Sequence, residues 1–184
     1  NAWPITQPIP YALGTQCSSF STYYPRASIM AAYSDLDPRI GASTTDRKIQ
    51  WEVVGTAPCR KFVVSFYHIG VFGVQAGSCP APANTFQIVI HESTGIIELF
   101  FERKSCNSST NNGRGILGIQ NWNQNQAVWG VGKNNAVWAE NNAGYKFIPS
   151  AGGSRFVSSE LYTLGGTLVT AADSSTTVAG LLDL

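Results

Sequence analysis

Apolar and polar positions alternate with a period of two through the middle of the chain. Ile49, Trp51 and Val53 alternate with Gln50 and Glu52, and Phe62, Val64 and Phe66 alternate with Val63, Ser65 and Tyr67. A Gly-Thr-Ala-Pro-Cys stretch separates the two runs. Period two places successive side chains on opposite faces of a strand, so this pattern predicts a hairpin. A second hairpin follows, with Phe86, Ile88 and Ile90 facing one way, a turn at Ser93-Thr94-Gly95, and Ile97, Leu99 and Phe101 returning. Short strands are expected again around 115–120, 126–131, 136–139, 144–147, 156–164 and 167–172. No segment carries an apolar period of 3.6 over three turns. The pattern predicts an all-β protein, an antiparallel β-sandwich of jelly-roll or lectin-like type.

Past Pro149 the character changes. Ser150 to Ser154 reads as a hinge, and Phe156 to Leu164 and Thr167 to Ala171 flank Gly165-Gly166 as a hairpin. This divides the chain into a sandwich over 1–149 and a β-hairpin extension over 150–184. The extension has too few strands for an independent immunoglobulin-like domain. It is expected to dock on the sandwich, to open a following module, or to pair with another chain.

Composition narrows the setting. Only 12% of the 184 residues are charged, about half the usual share for globular proteins. Hydroxyls and amides therefore keep the surface wet, a style that suits a secreted or cell-surface protein. The net charge of +1 comes with scattered basic residues, so neither nucleic-acid binding nor membrane insertion is expected. The chain opens at Asn1 rather than Met and reads as a processed product or a fragment of something longer. Its cysteines, Cys17, Cys59, Cys79 and Cys106, lack metal-knuckle spacing and read as disulfides. Cys79 and Cys106 lie just outside the two ends of the second hairpin, so that pairing is favoured and Cys17 with Cys59 is left over. Closing a loop of about 28 residues contributes roughly 3 kcal/mol in the chain-entropy picture.

"IMAAYSDLDPRIG" followed by "KIQWEVVG", then "APCRKFVVSFYHIGVF", "NTFQIVIHESTGIIELFFERKSC", "GILGIQN" and "AGYKFIPS", resembles in order the nidogen-type (NIDO-like) extracellular domain. The likeness spans roughly residues 25–149 and is nearest to a bacterial variant found in very large secreted surface proteins of Bacteroidota, gliding-motility adhesins among them. It implies an extracellular β-sandwich, export by the type IX route, and partners that are neighbouring modules or other copies of the chain. Domains of this type carry further strands upstream of the Trp3, Pro8 and Pro10 region, so the resemblance implies that the first strands are incomplete here.

Three groups of residues are candidates for chemistry. Asp35 and Asp37 flank Leu36, and on a strand their carboxylates share one side, a candidate Ca²⁺ pair. The alternative is that they satisfy turn amides or pair with Arg39 or Arg60. No other cofactor is called for. His91, Glu92, Glu98 and Glu102 bring carboxylates near one another, yet any alternating strand does so, and no nucleophile motif accompanies them. A non-catalytic protein is expected, with a secreted hydrolase as the lesser reading. Finally, residues 118–147 hold Trp122, Trp129 and Trp138 among many amides. Trp129 and Trp138 read as core and scaffold. Trp122, between Asn121 and Asn123 with Asn125 close by, sits in a hairpin loop and is the tryptophan expected to be exposed, a candidate glycan contact. The function expected is adhesion or assembly of a surface structure. Its more specific versions are a glycan-binding lectin-like domain and a filament subunit whose tail adds a strand to a neighbour.

Overall fold

The computed structural model describes residues 7–11, 26–39, 47–72, 84–104 and 112–149 in full, and the backbone alone of 155–163, 168–172 and 178–179. Twelve strands follow one another: β1 (Ser28–Tyr33), β2 (Leu36–Asp37), β3 (Lys48–Val54), β4 (Lys61–Val71), β5 (Asn84–His91), β6 (Ile97–Lys104), β7 (Arg114–Gln120), β8 (Ala127–Val137), β9 (Glu140–Pro149), β10 (Arg155–Thr163), β11 (Leu168–Ala172) and β12 (Val178–Ala179). No helix occurs among the described residues. The strands form two antiparallel sheets packed as a sandwich. One has three strands in the order β1-β7-β8, and the other has nine, ordered β11-β10-β9-β6-β5-β4-β2, with β3 also on β4 and β12 on β10.

The two hairpins read from the sequence are both present. Ile49, Trp51 and Val53 stand opposite Phe66, Val64 and Phe62, and Phe86, Ile88 and Ile90 stand opposite Phe101, Leu99 and Ile97. Because these pairs repeat every second residue, the apolar row continues from β3 across β4, β5 and β6 to Tyr145 and Phe147 of β9. The three-stranded sheet covers only part of this row. Over β9, β6 and β5, Ala31, Ala32, Leu117, Ile119 and Val128 close a core around Phe86, Leu99, Phe101 and Phe147. Each such side chain contributes about 1.5–3 kcal/mol by leaving water. Beyond β5 the cover ends, and every residue of β3 is exposed. The alternation predicts strands there correctly, but it does not predict a buried face.

A second apolar cluster joins Ile9, Met30, Ile116 and Ala127, with Tyr33 and Trp129 against it. Ile9 is fastened to β8 by both of its peptide groups. Its N–H donates to Asn134 Oδ1 at 2.7 Å, and its carbonyl accepts from Asn134 Nδ2 at 2.6 Å. Gly118 allows the close approach at this place, since a Cβ there would lie 2.6 Å from the Val128 carbonyl oxygen and 2.8 Å from Ile9 Cδ1.

One element differs from the sequence expectation. The separate strands expected at 126–131 and 136–139 are one strand, β8, whose register against β7 jumps from Asn134 opposite Ile116 to Trp129 opposite Gly118. Gly132 and Asn135 take positive φ angles of 69° and 58°, which absorb the extra residues as a bulge without ending the strand. The backbone of the tail lies along the large sheet, one of the three courses expected of it. β10 pairs with β9 from Phe156 opposite Pro149 to Thr163 opposite Ala143, and β11 pairs with β10. Of the cysteines, Cys59 is an exposed free thiol rather than half of the expected bond to Cys17. Cys17, Cys79 and Cys106 lie outside the described residues, and the expected Cys79–Cys106 pairing with them.

Candidate functional site

The loop between β7 and β8 is built around Asn121, whose side chain is buried. Its Oδ1 accepts the N–H of Asn125 at 3.1 Å and of Gln126 at 3.2 Å, while its Nδ2 donates to Asn125 Oδ1 at 2.8 Å. The Asn121 backbone closes the turn as well, donating to the Gln126 carbonyl and accepting from Gln124 N–H, each at 3.1 Å. An Asn side chain that imitates a backbone turn in this way is a common device of tight loops. Gln124 takes a positive φ of 56° at the tip and is buried. Asn121 is therefore a scaffold residue and not a surface contact, and Asn125 has one side-chain oxygen committed to it.

What the frame presents outward is Trp122, 56% exposed, with exposed Asn123 beside it. The Arg26 guanidinium carbon lies 5.6 Å from the Trp122 ring centroid, a cation–π contact that helps fix the indole. Arg26 had no sequence signal, because it is remote from Trp122 along the chain. Trp138 is 6% exposed, with Phe101 packed edge-on at 5.7 Å, and Trp129 packs on the second cluster. Trp122 is not the most exposed tryptophan, however. Trp51 on β3 is 70% exposed, because the small sheet stops short of it.

Asp37 is buried and both of its oxygens are occupied by Arg39. Oδ1 accepts Arg39 Nε at 2.9 Å and Oδ2 accepts Nη2 at 2.8 Å, which holds the Asp37 carboxyl below the usual carboxylate range. A Ca²⁺ ion at Asp35 and Asp37 would have to displace that guanidinium. Among the described residues no three His, Cys, Asp or Glu side chains gather as a metal site. The Arg60 alternative is not used, since Arg60 pairs with Glu92, its Nε donating to Oε2 at 2.9 Å. That pair, together with the bond from Ser93 Oγ to the Pro58 carbonyl, ties the β3–β4 turn to the β5–β6 turn.

The carboxylates considered for hydrolysis are each engaged or isolated. Glu98 accepts from His91 Nε2 at 2.7 Å and lies 3.5 Å from Lys146 Nζ. Glu102 borders a groove with Tyr67, Gln87 and Phe100, and among the described residues no second carboxylate lines it.

One polar cluster had no signal in the sequence. Lys104, at the end of β6, is fully buried and donates from Nζ to the Trp138 carbonyl at 2.9 Å, 4.3 Å from the indole centroid. Lys133 joins it, with Nζ 5.2 Å from the same ring and 2.6 Å from Glu140 Oε1, which also accepts from the Tyr145 hydroxyl at 2.8 Å. Burial first, and then the charge of Lys133, push the Lys104 amine down to about 8. Burial and the Glu140 carboxylate push the Tyr145 phenol up. The cluster locks β6, β8 and β9 together where the cover sheet ends.

No curated protein and no solved structure matches the chain. No helix among the described residues is long and apolar enough to cross a membrane, which says nothing of a β-barrel. The profile of one family, described as NIDO related, matches residues 11–154 and so ends where β10 begins. Domains of that family are generally extracellular. The match takes in β1 to β9 and covers well over half of the sequence, and the chain belongs to the NIDO-related family.

Proposed function

We propose that the chain is a secreted, non-catalytic module of a bacterial cell-surface protein, of the kind found in large Bacteroidota adhesins, acting in adhesion or in assembly of a surface structure. It binds a glycan through the loop 121–126. The observation that carries this reading is Trp122, an indole held in water by a loop whose hydrogen bonds are satisfied from within. Exposing an indole this way costs stability that a core position would have gained. A flat aromatic beside an exposed amide, that of Asn123, is suited to stack on a sugar ring and to read its hydroxyls. The low charge of the surface and the engagement of Glu92 and Glu98 in ion pairs support a binding role over hydrolysis. On a glycan array, Trp122→Ala is expected to lose binding while its melting temperature stays at that of the parent. An array profile that survives the substitution refutes the reading.

A second version places assembly in the tail. In the structure β10 lies on β9 of its own chain, and the same pairing made between copies would join them by strand exchange.

A further inference from the structure

The free edge of β3 carries a self-complementary pattern. All seven residues, Lys48 to Val54, are exposed, and among the described residues β3 pairs with β4 alone. One face presents Ile49, Trp51 and Val53, at 50%, 70% and 47% exposure. These are the outer end of the apolar row that forms the core further along the sheet. The strand lacks most of the devices that guard an open edge, and its charges, Lys48 and Glu52, stand on the face opposite the apolar one. It contains no proline or glycine, no residue of positive φ, and no charge on its apolar face. The hairpin is also held against the sheet by Arg60 with Glu92, so the edge is presented rigidly.

On the opposite face the order is Lys48, Gln50, Glu52. When two such strands lie antiparallel about a two-fold axis at Gln50, Lys48 of one faces Glu52 of the other and Gln50 faces Gln50. On the apolar side Ile49 then faces Trp51. The pair of Lys48 with Glu52 is made twice, once on each side of the axis, which is what an isologous contact requires. Cross-strand pairs of opposite charge and of aromatic with β-branched residues are the favourable combinations in antiparallel sheets.

We infer that a second copy of this chain docks on β3, edge to edge and antiparallel about Gln50, joining the two large sheets into one and setting the apolar faces of the two β3 strands side by side. The occupant is a copy rather than an unrelated strand because the charge order of β3 complements itself. An interface of one strand per partner lies at the small end of specific interfaces, so the dimer is weak and forms at high concentration. This interface is independent of the Trp122 loop and of the tail, and a failed glycan experiment leaves it standing.

Sedimentation of the full chain over a concentration series reaching the hundred-micromolar range tests it. The parent is expected to pass from monomer to dimer. Lys48→Glu and Glu52→Lys, each placing two like-charge pairs across the axis, are expected to weaken the dimer about tenfold or more. The double substitution is expected to restore it. Both positions are exposed, and unchanged melting of each variant shows that the fold is kept. In a Cys59→Ser background, Gln50→Cys is expected to yield, on mild oxidation, a disulfide-linked dimer bridged between the substituted positions. A monomer at every concentration overturns the proposal, as does a dimer indifferent to the single reversals. Failure of the double substitution to restore association, or growth past the dimer, overturns the two-fold register.

Discussion

A lysine with its amine out of water is costly, and Lys104 states that cost in pH. The amine binds its proton more weakly in the folded chain than in the unfolded one, at about 8 against about 10.4. Unfolding therefore takes up a proton between these values. Stability consequently rises with pH from about 8 to about 10, by up to roughly 3 kcal/mol from this group. Above about 10 the trend reverses, because the unfolded chain ionises tyrosines that Tyr145, with its raised pKa, keeps neutral when folded. Denaturant unfolding across this range is expected to show the rise in the parent and to lose it in Lys104→Met, which fills the site without a titrating group. Neither end of this effect was legible in the sequence. "ERKS" at a strand end reads as solvated charge, and only folding brings the Trp138 carbonyl, 34 positions away, to the amine.

Among the elements, the β7–β8 loop was placed correctly and only partly understood. Its position follows from the alternation on either side, and the exposure of Trp122 follows from its amide neighbours. The division of labour among those amides does not, since Asn121, Asn123 and Asn125 are chemically alike and only geometry makes the first a frame. Asn121→Ala removes the acceptor for two backbone N–H groups. The expected cost is about 1–3 kcal/mol, read as a lower urea midpoint at unchanged slope. Glycan binding is expected to weaken in the same variant, because the loop no longer holds Trp122 in place. The hairpins β3–β4 and β5–β6 were legible as strands and turns, because alternation marks the strands on either side of each turn. The bulge in β8 was not, because Gly132 and Asn135 announce a turn as readily as a bulge.

At the scale of the whole molecule, the sandwich was legible from strand density, but the extent of its cover was not. Two sheets of three and nine strands cannot shield each other completely, and no local pattern tells which strands are left out. Within the small sheet a close approach occurs at Gly118, beside β8 and Ile9. Gly118→Ala pushes a methyl against the backbone of Val128 and the side chain of Ile9. It is expected to cost about 2 kcal/mol or more in unfolding free energy, since backbone yields little. The same region sets the order of events as the chain is made. β1 pairs with β7, Ser28 opposite Gln120, and Ile9 waits for Asn134. The earliest of these residues to emerge thus remains without its partner until Asn134, 125 positions later, has followed. Such long-range closure is slow, and it leaves apolar strands open to strangers in the interval. Time spent with β1 unpaired, more than the strength of the finished core, then limits how much of this protein reaches its native state.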